Sequence, residues 1–233
     1  MLVLAFDTAT PAVTAAVHDG TRVLAESTTI DARRHGELLA PAIETVLREA
    51  GGSIHDVTAV VAGAGPGPYT GLRVGLITAR ALSTTLGVPA YGICTLDAIA
   101  YAAGVPGPFT VITDARRKEL FWATYADGVT RLDGPRVDRP ADVPVQGAVV
   151  GARLYLDGVT GPEHPSAGAL AALAARELAR LSPEEAAAAA KLPEGRIDSV
   201  EAAQNRAILG PPAPIYLRRP DAQVPGAPKK VTA

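Results

Sequence analysis

The chain has 233 residues, which is enough for one large domain or two small ones. Hydrophobic residues make up 48% and charged residues 20%, an ordinary globular composition, and no apolar run approaches the roughly 18 residues of a membrane span. The net charge of −2 argues against a stand-alone nucleic-acid-binding protein, although not against a subunit of an RNA-modifying complex.

The first thirty residues predict three antiparallel strands. Residues 2–8 are an apolar run typical of a strand buried on both faces, with Asp7 near its end. Residues 12–18 and 21–30 predict the next two strands, and the Asp-Gly pair at 19–20 is a signal for a two-residue hairpin turn between them.

The pattern then changes to a helical period. Apolar residues recur at helical spacing from Leu38 to Ala50, and two glycines follow. Because Pro41 does not fit the interior of a helix, we expect the regular helix to start near it or to have a kinked first turn. The chain continues with a strand at 57–62, a helix at about 71–86 and a strand at about 90–95.

A segment rich in glycine and proline, GAGPGPYTGLRVG at 63–75, joins the strand at 57–62 to the following helix. Such a junction directs free backbone N–H groups beyond the helix N-terminus and can bind an anion. It lacks the lysine of a Walker A loop, so it is either a vestigial phosphate loop or a turn that orients the helix. The phosphate interpretation would use Asp7, Thr8, Thr10, Gly65, Gly67 and Gly71.

The element order β-β-β-α-β-α-β is that of the ribonuclease H-like fold shared by actin, hexokinase and Hsp70 ATPase domains. We therefore predict an α/β protein of the actin-like ATPase (ASKHA) class with two lobes. The Gly/Pro-rich residues 104–108 suggest the boundary. The expected units are an N-terminal lobe at 1–105, a C-terminal lobe at 106–219 whose last helices return to the first lobe, and a flexible tail at 220–233.

Within the second lobe the pattern predicts strands at 109–113 and 119–125, short strands within 129–150, and helices at 170–181 and 183–192. The charged turn at 114–117 between the first two strands is a solvated hairpin or an inter-domain clamp.

The residues that commonly carry catalysis show no familiar spacing. None of the four histidines pairs with another at HxxxH or HxH spacing, so no metal site is expected within one chain. Cys94 lies in an apolar run, which favours a buried structural thiol over a nucleophile. As the only cysteine it also excludes a disulfide within the chain, which fits a reducing cytoplasm.

Five segments in the same order resemble the TsaB (formerly YeaZ) family, and the resemblance runs from residue 1 to about 219. They are Phe6-Asp7-Thr8-Ala9-Thr10, His35 ahead of Leu38-Leu39-Ala40-Pro41, GPGPYTGLRVG at 65–75, Asp114-Ala115-Arg116-Arg117, and Pro214-Ile215-Tyr216-Leu217-Arg218. The glycine-rich block is the most specific of these.

The resemblance implies a non-catalytic subunit that binds and supports TsaD, the catalytic subunit that installs N6-threonylcarbamoyladenosine in tRNA beside the anticodon. It further implies a TsaE-like ATPase as a third component, a homodimer when the chain is alone, contact with tRNA only through the complex, no membrane association and a cytoplasmic location. The resemblance implies no cofactor of this chain's own. It leaves open that ATP or ADP binds at the interface with a partner.

TsaD-like chains carry an HxxxH metal motif after the strand that follows the glycine-loop helix. Thr95 and Ile99 occupy the two corresponding positions here, and neither replaces imidazole as a ligand. Ala9 likewise stands where actin-like kinases usually carry glycine. Both departures point to a lost catalytic site.

The resemblance places the partner interface on the first two helices. The candidate residues are His35, Leu38, Leu39, Ile43, Thr70, Arg73, Val74 and Thr78, some of which must face the sheet instead. Two other functions stay open: an ATP-dependent phosphotransferase or ATPase that uses Asp7 and the glycine loop, and a metallopeptidase, against which the unpaired histidines speak.

Overall fold

The first lobe is built on a five-stranded mixed sheet. The structure, a computed structural model, describes residues 1–192 and 207–217. The strands in chain order are β1 (Val3–Asp7), β2 (Ala12–His18), β3 (Val23–Ile30), β4 (Ala59–Gly63) and β5 (Ala90–Ile93). Their order across the sheet is β3-β2-β1-β4-β5, with β1, β2 and β3 antiparallel and β4 and β5 parallel to β1. The predicted α/β class and element order are confirmed.

Helices cover both faces of this sheet because its central strands are apolar on both sides. The helices are α1 (His35–Glu49), α2 (Tyr69–Leu86), α3 (Thr95–Ala103), α4 (Ala167–Leu178) and α5 (Pro183–Ala190). Alternate β1 side chains point to opposite faces: Leu4 and Phe6 pack with α1 and α2, whereas Val3 and Ala5 pack with α4.

The second lobe is built on a smaller sheet. Its strands are β6 (Phe109–Asp114), β7 (Leu120–Tyr125), β8 (Arg131–Asp138) and β9 (Ala148–Gly151), in the order β8-β7-β6-β9. Leu96 and Ile99 of α3 share a buried cluster with Phe109 and Tyr125 of this sheet. Helix α3 therefore joins the two sheets.

The predicted two-residue turn at 19–20 is wrong, and so is the start of the first helix near Pro41, which was one of the two alternatives expected for it. The turn between β2 and β3 has four residues, because the Asp19 carboxylate accepts hydrogen bonds from the backbone N–H groups of Thr21 and Arg22 and organises a longer loop. Helix α1 begins at His35, and Pro41 lies inside it. Pro41 and Glu37 are both exposed, so water can serve the Glu37 carbonyl that Pro41 leaves without a donor.

The C-terminal part of the described chain returns to the first lobe. Gly210 and Gly92 exchange two backbone hydrogen bonds of 3.0 and 2.8 Å, and the Ile215 N–H donates to the Ala64 carbonyl at 2.8 Å. The Arg80 guanidinium of α2 donates twice to the Pro212 carbonyl. The predicted tail at 220–233 and Arg218 lie outside the described residues.

Candidate partner interface and glycine-rich loop

Asp7 lies at the end of β1 and is fully buried. One carboxylate oxygen accepts from the Ala9 N–H at 2.6 Å and the other accepts from the Thr95 hydroxyl at 2.6 Å. Burial raises the pKa of Asp7 from 3.8 to about 6, although the two hydrogen bonds favour the ionised form and so act to lower it. Both oxygens are thus engaged by groups of the protein itself.

The turn after β1 is packed directly against the glycine-rich loop. The Thr8 hydroxyl donates to the Gly71 carbonyl at 2.8 Å and accepts from the Gly75 N–H at 3.0 Å. A Cβ atom at Gly67 would collide with the Ala9 carbonyl oxygen, and one at Gly71 with the Thr8 carbonyl oxygen. The glycines are needed because two backbones meet here, and this close contact does not fit a phosphate between them.

Thr95 is one of the two residues that the resemblance aligns with the metal-binding histidines expected in TsaD-like chains. Its hydroxyl donates to Asp7 and accepts from the Gly65 N–H, while its own N–H donates to the Gly65 carbonyl at 2.8 Å. Ile99, at the other position, is fully buried against the second sheet. Thr95 thus fixes the start of α3 to the first lobe, and Ile99 packs the same helix on the second. Within residues 1–192 and 207–217, no group of three or more His, Cys, Asp and Glu side chains is arranged to hold a metal ion.

The cleft between the two lobes is narrow next to this site. A cavity of about 90 Å³ is lined by Thr10 and Pro11 from the first lobe and by Thr113, Arg116 and His164 from the second, among others. Ligand pockets usually measure about 300–1,000 Å³. This cavity is thus smaller than a usual ligand pocket.

Helices α1 and α2 form an open apolar groove on the surface of the first lobe. Its volume is about 600 Å³. The apolar lining includes Ala40, Ile43, Leu47 and Leu82, and Glu44, Arg48 and Ser53 lie at its margin. Ile77 of α2, the sequence neighbour of the groove residue Thr78, is 59% exposed. An apolar groove and a large exposed aliphatic side chain on the same helix are typical of a protein–protein contact.

The predicted interface residues lie partly in the core and partly at the surface. Leu39 is only 1% exposed and belongs to the core, so it cannot contact a partner without rearrangement. Leu38 and Val74 are half-buried against the same core. The other five differ in placement: Ile43 and Thr78 line the groove, Thr70 and Arg73 are exposed, and the His35 ring contacts the Thr10 carbonyl.

The sequence prediction missed Tyr69 and Ile77. With Arg73 they recur every four residues along α2 and form its exposed side. The Arg73 guanidinium lies 4.3 Å from the centre of the Tyr69 ring, and Tyr69 stacks on Tyr216 with ring centres 5.5 Å apart. The four-residue spacing was the available signal. Tyr216, which extends this surface, comes from a segment distant in sequence.

Cys94 lies beside a buried ion pair at the lobe junction. Arg131 Nη1 of β8 is 3.4 Å from Asp97 Oδ1 of α3, with side chains only 6% and 8% exposed, and the Tyr125 hydroxyl donates to the same oxygen at 2.7 Å. Burial raises the pKa of the Cys94 thiol to about 12, which disfavours the reactive thiolate form at neutral pH. Its predicted burial is confirmed.

Comparison with known proteins places the chain in a family. A family model described as TsaD, tRNA N6-adenosine threonylcarbamoyltransferase, matches residues 22–208. An uncharacterized protein of Mycobacterium tuberculosis is 45% identical over 224 residues, which cover 95% of this chain and 93% of that protein. The tRNA threonylcarbamoyladenosine biosynthesis protein TsaB of Escherichia coli is 34% identical over 129 residues, 54% of this chain and 55% of that protein.

A solved structure agrees with this relationship. YeaZ from Pseudomonas aeruginosa superposes with a TM-score of 0.65 at 26% identity, over 79% of this chain and 97% of that one. The chain belongs to the TsaB (YeaZ) family. It is thus homologous to proteins of tRNA threonylcarbamoyladenosine biosynthesis and shares the fold of TsaD. In the part of the chain that the structure describes, no helix combines the length and apolar character needed to cross a bilayer.

Proposed function

We propose that this chain is a non-catalytic subunit that binds and supports a TsaD-type catalytic subunit in the complex that installs N6-threonylcarbamoyladenosine in tRNA next to the anticodon. The observation that carries the proposal is the apolar groove between α1 and α2, together with the exposed Ile77 on α2. Membership of the TsaB family supplies the pathway, and the groove supplies a surface suited to a partner helix.

The absence of catalysis is proposed from what occupies the catalytic positions. Thr95 holds Asp7 and Gly65, and Ile99 fills the core. Thr8 and Ala9 fill the space in front of the glycine loop. Each residue thus has a packing role, and that role conflicts with metal or phosphate binding. In the proposal, ATP or ADP binds at the interface with a partner rather than on this chain alone.

The exposed side of α2 has the composition of an interface centre. Tyr69 is 48% exposed and lies beside Arg73 and Ile77. Tyr and Arg are enriched among the few residues that dominate binding energy. The same surface can serve two copies of this chain when the TsaD-type subunit is absent, and a TsaE-like ATPase would join the assembled pair.

The first prediction tests this surface with Ile77→Glu. A carboxylate buried in an apolar contact has no partner for its charge, so the affinity for the TsaD-type subunit should fall at least about 30-fold. Ile77 is preferable to Val74, because Val74 also packs on the core and its replacement would disturb folding. Co-purification and titration calorimetry of the two subunits measure the effect.

Val145→Glu is the matched control. Val145 is 47% exposed and lies on the second lobe, so its replacement makes the same chemical change away from the groove. It should leave binding unchanged. Equal retention of the Ile77→Glu and Val145→Glu proteins by the partner would refute the assignment of the interface. Size-exclusion mass measurement on the mixture should show a homodimer replaced by a heterodimer.

ATP-dependent phosphotransfer or ATP hydrolysis remains the alternative function. Sustained ATP turnover by the purified chain alone, lost in Asp7→Ala, would establish that alternative against the non-catalytic role.

A further inference from the structure

Left-handed backbone outside glycine is confined to one region of the described chain. The four such residues within 1–192 and 207–217 are Arg116, Arg117, Lys118 and Tyr155, with φ of 62°, 56°, 60° and 63°. This conformation is unfavourable for residues that carry a Cβ atom, and three in succession are rare. Strained residues of this kind cluster at functional sites.

The two strained segments are neighbours at the mouth of the interlobe cleft. Arg116 and Leu154 line the same small cavity, and the Ala152 N–H donates to the carbonyl of Ile112, near the end of β6, at 3.0 Å. Residues 116–118, here called the cationic tip, form the end of the β6–β7 hairpin. Their loop is closed at its base by the Ala115 N–H, which donates to the Glu119 carbonyl at 3.0 Å.

The side chains on these segments are cationic or aromatic, and they are exposed. All three residues of the cationic tip are exposed, as is Arg153 on the neighbouring loop. Tyr155 is 53% exposed.

Acidic residues also lie close to this surface. Arg116 pairs with Asp114 at 3.2 Å, and the other nearby carboxylates are Glu119, Asp157 and Glu163. Asp114 and Glu119 are half-buried at the base of the hairpin, whereas the three cationic side chains at its end are exposed.

We propose that the cationic tip, Arg153 and Tyr155 contact RNA, with the cations on backbone phosphates and the Tyr155 ring stacked on an unpaired base. The inference rests on the proposed function, because the RNA is the tRNA on which the complex acts. The overall charge of −2 makes tight binding by this chain alone unfavourable. The contact therefore adds to RNA binding by the assembled complex.

The chemistry favours RNA over an acidic protein surface. Phosphates and bases alternate along a single strand, and the combination of cations with a flat exposed aromatic ring matches both. An acidic protein surface would use the cations but would leave the Tyr155 ring without a comparable partner.

The test uses the full chain assembled with its TsaD-type subunit and an unmodified tRNA transcript. Removing two phosphate contacts in the double variant Arg117→Ala/Lys118→Ala should make the negative slope of log K against log salt shallower by roughly 1.4–1.8. Arg22→Ala/Arg180→Ala, which removes two exposed cations elsewhere, should leave the slope unchanged. Tyr155→Ala should weaken binding roughly 5- to 150-fold, and Tyr155→Phe should restore it.

A glycine variant separates RNA contact from structural support. Lys118→Gly relieves the left-handed strain, so it should raise the melting temperature while it weakens tRNA binding. An unchanged affinity and salt slope in all variants of the tip, with the complex intact, would overturn the RNA contact and leave the proposed function standing. If the variants of the tip instead lose the TsaD-type subunit while their RNA affinity is unchanged, the tip is a protein contact and the RNA contact is wrong. Failure of the wild-type subunits to assemble would count against the proposed function itself.

Discussion

Asp7 is a carboxyl group that the fold keeps fully buried between two hydrogen-bond donors, Ala9 and Thr95. A buried carboxylate in the first strand could be taken for a catalytic group. Its partners show a structural role, since the two donors come from the turn after β1 and from the start of α3. The raised pKa of Asp7 reports the cost of burial and does not require an active site.

Replacement of Asp7 by Asn should remove a pH-dependent part of stability. Between its ordinary pKa of 3.8 and the folded value of about 6, the unfolded chain releases the Asp7 proton while the folded chain keeps it. The free energy of unfolding therefore falls as pH rises through this window, by about 3 kcal/mol in total. The difference between wild type and Asp7→Asn, measured by urea unfolding from about pH 3.5 to 7.5, should show this fall.

Asp31→Asn is the control of opposite sign. Hydrogen bonds from the Arg33 N–H and the Arg34 side chain lower the pKa of Asp31 to about 2, so its contribution is present above pH 3.8 and lost as pH falls. A pH-independent difference between wild type and Asp7→Asn would show that Asp7 is not held in a buried, pKa-raising site.

Helix α2 and its glycine loop show how one element serves two contacts. The loop places the helix start against Thr8 and Ala9, and the opposite side of the helix remains exposed at Tyr69 and Ile77. The position of the partner surface therefore depends on the close backbone contact behind it.

Gly67→Ala should destabilise the protein by about 3 kcal/mol, because the new methyl group would have to displace the Ala9 carbonyl. Gly36→Ala in α1 is the matched control: it meets no atom within 4 Å and should stabilise the helix by about 0.5–1 kcal/mol. Denaturant midpoints measure both changes. Similar midpoints for the two variants would show that the loop and the turn are not in rigid contact.

The elements that the sequence predicts well are those with a clear period. Strands β1 to β5 and helices α1 and α2 each alternate between core and surface, or run buried between turn residues. Helix α3 carries no such stripe, because residues 95–100 are all buried between the two lobes, and it was not predicted. The exposure of Ile77 is not predictable from the sequence, since an apolar residue in a helix has the pattern of a core residue until its neighbours are known.

At the scale of the whole molecule, the two lobes are joined by a buried polar contact as well as by α3. Asp97, Arg131 and Tyr125 come from three elements on the two sides of the junction. Buried ion pairs gain little net free energy, but removing one member leaves the other charge uncompensated.

Asp97→Ala should therefore lower the free energy of unfolding by about 3–5 kcal/mol, whereas the double replacement Asp97→Leu/Arg131→Met should cost clearly less. Arg136→Ala removes an exposed member of the Arg136–Asp133 pair and should change stability by no more than about 0.5 kcal/mol. Urea unfolding of the four proteins compares these costs. A double replacement that costs as much as Asp97→Ala, or more, would contradict the coupling.

Residues 207–217 return to the first lobe, where they hydrogen-bond to Gly92, Ala64 and Arg80. This return has a consequence for synthesis on the ribosome. Helix α4 and this segment reach the first sheet only after nearly the whole described chain has been made. N-terminal domains commonly fold while the rest of a chain is still being translated. Here the first lobe cannot be finished in that order, so a stalled nascent chain that ends at the second sheet should expose the face of β1 that α4 covers and should bind chaperones there.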